Sequence, residues 1–144
     1  GYIIKNDYLE AAFKPEAQLI QVKWFPESKF MSEETYREIL LKLSSYVLTH
    51  QVKCWLGDTK EFAYIISPEL QAWTSDTFTK ELLEAGLEKM ALIIPTAFIA
   101  NLGVQQTVEE MENRTAQDSI ETRYFDNYED AQHWIEQAGD KINK

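Results

Sequence analysis

The polar groups best placed for chemistry are Asp58, Thr59 and Lys60, which follow a strand-like run ending at Gly57. Open α/β sheets bind ligands outside the carboxyl ends of their strands, where loops and helix N-termini present unpaired amides. A carboxylate, a hydroxyl and an ammonium at such an end are suitable polar anchors. Phe62, Tyr64, Trp73 and Phe78 come next along the chain and are candidates to wall an apolar cavity around them. On this reading Asp58, Thr59, Lys60, Tyr64 and Trp73 are ligand-binding residues. The competing reading makes the aromatics core and the polar trio an ordinary Asx-type turn. Both stay open at this level.

Other chemistry finds little support. His50 and His133 are the only histidines, and neither lies in an HExxH or comparable metal-site pattern. His50 ends a helix-like stretch, where a cation suits the helix dipole. Cys54 is a single cysteine inside an apolar run, which suits a small buried hydrophobe and leaves no internal disulfide. No serine sits in a nucleophile elbow, and Gly57, Gly86 and Gly103 are too isolated for a phosphate loop. Acid clusters such as Glu109-Glu110 and Glu129-Asp130 read as solvated helix faces. No metal or cofactor is therefore expected. An enzyme using Asp58 and Lys60 is the least favoured of the functional readings.

Composition narrows the partners. The chain has 14 basic and 24 acidic residues and a net charge of −10, so a phosphate-tracking nucleic-acid surface is not expected. The same charge disfavours anionic membrane surfaces. Neither a signal peptide nor an apolar stretch long enough to span a bilayer is seen, which makes the cytoplasm the expected location. A homodimer is plausible on general grounds, because two-fold dimers are the commonest oligomers.

These residues must be positioned by alternating strands and helices. Residues 8–13 and 19–24 read as two strands of a hairpin. In the second, Ile20, Val22 and Trp24 alternate with Gln21 and Lys23, the period of a half-buried strand. Ser32 is a candidate N-cap for a helix over about 33–49, whose apolar stripe is Tyr36, Ile39, Leu40, Leu43 and Val47. A third strand spans Lys53 to Gly57. Ser67 and Pro68 open the next helix, with Leu70, Trp73, Phe78 and Leu82 on its buried side and Gly86 at its stop. Met90 to Ile94 is a fourth strand, continuous enough in apolar residues to be covered on both faces. Short helices are expected near 96–102 and 105–112, an exposed loop over 113–119, and a fifth strand from Ile120 to Phe125. Asn127 caps a last helix with an Ala131, Trp134, Ile135 and Ala138 face. The expectation is a single α/β domain, a mixed five-stranded sheet with an N-terminal hairpin and packed helices.

Several stretches resemble the bacterial SpoIIAA-like family, whose fold is related to the STAS (sulphate transporter and anti-sigma-factor antagonist) and CRAL-TRIO folds. They are the hairpin Tyr8 to Trp24, Cys54-Trp55-Leu56-Gly57-Asp58 with its following loop, Leu83-Glu84-Ala85-Gly86-Leu87, and the closing run Tyr124 to Ile135. The resemblance implies a STAS-like fold and a non-enzymatic binding or regulatory domain, with a protein partner or a small apolar ligand. In anti-sigma antagonists a strand ends in Asp-Ser and the serine is phosphorylated by a partner kinase. Asp58-Thr59 occupies that place here, which implies a phosphorylation site at Thr59, with Ser67 as a second candidate. Lys60-Glu61 follows where those proteins carry Ser-Gly, and that departure weakens the implied switch.

Overall fold

A computed structural model describes residues 1–99 and 120–143, with residues 138–143 described by backbone alone. One sheet organises them, with strands in the order β1 (Tyr2–Lys5), β2 (Leu9–Lys14), β3 (Leu19–Trp24), β4 (Cys54–Asp58), β5 (Lys89–Ile93) and β6 (Glu121–Phe125). The pairs β1–β2 and β2–β3 are antiparallel, and β3 through β6 run parallel. The sheet is mixed as expected but six-stranded, which corrects the count of five.

The extra strand is β1, an edge strand of Tyr2-Ile3-Ile4-Lys5. It returns through a turn in which the Asn6 side chain accepts from the amides of Tyr8 (2.8 Å) and Leu9 (3.0 Å). Asn-Asp after a β-rich run was the available signal. Four residues are too few to show alternation, so the opening hairpin proves to be a three-stranded meander.

The helix α1 (Glu33–His50) begins where Ser32 accepts from the Thr35 amide at 3.0 Å, with Glu33 and Glu34 in the first turn. It ends on Gln51, which takes the left-handed conformation (φ 52°) more often given to glycine. Its stripe of Tyr36, Ile39, Leu40, Leu43 and Val47 is buried. Between β4 and β5, α2 (Pro68–Trp73) and α3 (Lys80–Glu84) flank a π-helical segment, Thr74–Thr79, with no break between the three. That segment accounts for an awkward spacing. In a straight α-helix, at ~100° per residue, Phe78 and Leu82 would sit ~80° and ~120° round from Leu70. One residue absorbed by the wider turn brings both back to within ~20°, and Leu70, Phe78 and Leu82 are all buried. The C-terminal helix α4 (Tyr128–Asn143) is capped by the Asn127 side chain, which accepts from the Asp130 amide at 2.9 Å.

The helices divide between the two faces of the sheet. α1 and the 68–84 stretch cover one face with a large core containing Leu9, Ile20, Val22, Leu43, Trp55 and Leu82. On the other face α4 lies over β4 and β5, where Ala131 and Ile135 pack on Leu19, Cys54, Leu56, Ala91 and Ile93. The helices expected near 96–102 and 105–112 and the loop over 113–119 lie wholly or largely outside the described residues, apart from a helical turn at 96–99.

Gly57 sits in β4 on the large-core side. A Cβ there would lie 3.0 Å from Trp55 Nε1 and 3.1 Å from Leu92 Cδ2. Gly57→Ala is therefore expected to lower stability by roughly 1–3 kcal/mol through overpacking. A urea titration should show a lower midpoint at unchanged slope; an unaltered midpoint would mean that Trp55 yields freely.

Candidate functional site

The five residues singled out from the sequence separate in space. Strand alternation turns Asp58 to the α4 face together with Cys54 and Leu56, while Trp55 and Gly57 face α1. Asp58 Oδ1 accepts from the Lys60 amide at 3.1 Å, an Asx turn, and Lys60 is exposed. Thr59 continues the strand edge, since its amide and its hydroxyl both donate to the Ile93 carbonyl, at 2.9 and 2.7 Å.

Tyr64 and Trp73 belong to the opposite side. Tyr64 stacks on Tyr36 at 5.3 Å, Trp73 meets the same ring edge-on at 6.2 Å, and Arg37 lies over Trp73 at 4.8 Å. Phe62 packs edge-on against Trp24 at 4.8 Å, and Phe78 is core. Thr74 ties this cluster to the π segment. Its hydroxyl donates to the Leu70 carbonyl (2.7 Å), so the Tyr36 phenol donates to Thr74 Oγ1 (2.7 Å). Burial raises the Tyr36 phenol above its ordinary pKa, and the neighbouring Tyr64 adds to this.

Phosphorylation of Thr59 would remove the proton that Oγ1 gives to Ile93. Ser67 Oγ, by contrast, accepts from the Leu70 amide (3.2 Å) at an exposed helix start, and a phosphoester oxygen could still accept there. Of the remaining candidates, His50 stacks on Tyr46 at 3.8 Å and His133 contacts the Gln137 amide at 3.1 Å, both exposed. Burial pushes the Cys54 thiol up to about 11; the Glu88 carboxylate adds to this and the Lys89 ammonium offsets part of it. Among the described residues no three His, Cys, Asp or Glu side chains converge to hold a metal.

What the sheet assembles on the α4 face is a cleft of about 340 Å³ beside the N-terminal end of α4. α4 shields β4, β5 and Leu19 at the start of β3 but leaves the rest of the β1–β3 meander open on this side. The register places side chains in rows across the strands. One row reads Tyr2, Ala12, Gln21 and Leu56, and these line the floor. The next reads Lys5, Glu10, Lys23 and Asp58, with charges alternating in sign; Glu10, Lys23 and Asp58 line the cleft. Tyr128, in the first turn of α4, forms a wall, and its hydroxyl accepts from Gln21 Nε2 at 3.0 Å. Arg37–Glu33 and Lys89–Glu121 pair elsewhere, and among the described residues Glu10, Lys23 and Asp58 form no ion pair with one another.

Of the sequence candidates only Asp58 lines this cleft. Glu10, Gln21 and Lys23 were missed because outward positions on a half-buried strand look like plain solvent face, and Tyr128 because an exposed position in a first helical turn does too. Their signal is cross-strand register, which no local pattern carries.

The model of the SpoIIAA-like family matches residues 19–136, most of the chain. The chain belongs to the SpoIIAA-like family. No curated protein and no solved structure matches it significantly. The matched region starts at β3 and ends within α4, so it takes in the parallel part of the sheet, Asp58 and Tyr128, but neither β1 nor β2. SpoIIAA-like membership, with its relation to anti-sigma-factor antagonists, supports a regulatory or interaction domain. No helix among the described residues is long and apolar enough to cross a membrane.

Proposed function

We propose that this SpoIIAA-like chain is a non-enzymatic regulatory binding domain whose ligand seat is the cleft between α4 and the β1–β3 meander. The supporting observation is the open half of the α4 face, with Glu10, Lys23 and Asp58 in one register row, unpaired with one another, beside Tyr128. Exposed ion pairs contribute only about 0–1 kcal/mol, so leaving these charges apart costs the fold little while keeping them free for a ligand. A volume of about 340 Å³ is at the small end for ligand pockets and suits a small molecule. With so many polar groups in the lining, a polar ligand fits it better than the apolar one that the family resemblance implied.

The test is an amide-shift NMR titration of the full chain with a bacterial small-molecule extract. Saturable shifts at Glu10, Lys23, Asp58 and Tyr128 are expected. Ala12→Trp, which fills the floor from the solvent side, should abolish them and leave the thermal midpoint within a few degrees. Shifts only at Tyr64 and Trp73 would move the seat to the other face and end this reading.

A further inference from the structure

The ligand class can be narrowed, on the assumption that the cleft is the seat. The alternating row is its most specific feature. Adjacent strands are ~4.8 Å apart, so Glu10 and Asp58 arise ~10 Å from each other with Lys23 midway. A simple cation would meet Lys23 beside either carboxylate, and a simple anion would meet a carboxylate on each side of Lys23. Either therefore gains one contact and suffers repulsion from a neighbour. A molecule carrying both charges a few ångströms apart gains from two adjacent members of the row together.

The surroundings favour the same class. Gln21 and Tyr128 supply neutral hydrogen-bonding groups next to the row, and the exposed Tyr2 ring, which already faces the Lys5 ammonium at 4.6 Å, can face a ligand ammonium. Leu56 and Ala12 leave a short apolar floor for a few methylenes. We infer that the cleft takes a small amino-acid-like zwitterion, its ammonium on Asp58 or Glu10 and its carboxylate on Lys23.

Titration of the full chain with glycine, β-alanine and γ-aminobutyrate, against butylamine and butyrate, tests this by the same amide shifts. At least one zwitterion should bind at least about tenfold more tightly than either singly charged probe, as expected from a second charge-assisted hydrogen bond. Lys23→Met should reduce that affinity about tenfold or more, and so should Glu10→Gln and Asp58→Asn combined; none of the three residues is buried, so the fold should survive. Butylamine or butyrate binding as tightly as every zwitterion overturns the assignment. If none of these probes moves the cleft amides while the small-molecule extract does, the zwitterion is wrong and the cleft stands. If neither moves them, both readings fall.

Discussion

Ile135→Ala is expected to cost about 2–5 kcal/mol, among the largest effects of any single substitution on the α4 side. Ile135 is 1% exposed and stands at the centre of the smaller core, against Leu56, Ala91 and Ile93. That core is served by one helix. Among the described side chains of α4, Trp134 joins Ala131 and Ile135 in holding the helix: it packs against Phe125 at 5.9 Å and receives Arg123 at 5.1 Å and Lys89 at 5.4 Å. A cavity under Ile135 should therefore loosen α4 as a unit. Hydrogen exchange should rise first in β5 and α4, whereas the amides of α1 keep their protection until global unfolding. Because Tyr128 belongs to α4 and walls the cleft, ligand affinity should fall along with stability. Uniform loss of protection over both faces would show that the two cores melt as one.

Alkaline titration should reveal the second large effect. The Cys54 thiol, fully buried, ionises only near pH 11 in the folded chain. An exposed thiol in the unfolded chain gives up its proton near pH 9, so above that pH the unfolded state binds fewer protons than the folded one. The contribution of the protonated thiol is thus fully present below about pH 9 and is lost as the pH climbs to about 11. At ~1.4 kcal/mol per unit the loss amounts to roughly 3 kcal/mol. Tyr36 is shifted in the same direction and adds to the decline. Cys54→Ala should have lower stability at neutral pH but a flatter profile between pH 9 and 11. Equal slopes for the two proteins would remove the thiol as the cause. In the native chain Cys54 should also resist thiol reagents at pH 8, reacting on the timescale of unfolding.

Much of the architecture was legible because it is written locally. Ser32 and Ser67 cap their helices through short-range bonds, the α1 stripe repeats at helical period, and Pro68 and Gly86 bracket the 68–84 stretch. Such features depend on residues within a few positions of one another. Edge strand β1 escaped because four residues carry no measurable period. The π segment escaped because its only trace is the five-residue step from Trp73 to Phe78, which looks like noise until tertiary contacts show both ends of the stretch buried on one core.

The amino-acid order alone determined an α/β chain with a hairpin leading into parallel strands, the α1 boundaries and an acidic surface. It also put Asp58 at a strand end. Tertiary structure decided which polar residues meet. Two-residue alternation sends Asp58 to one face while Tyr64 and Trp73 pack on the other, and pairing of β2, β3 and β4 sets Glu10, Lys23 and Asp58 side by side. The physical reason is that a side chain's direction follows from its own strand, whereas its neighbours follow from hydrogen-bond register between segments far apart in the chain.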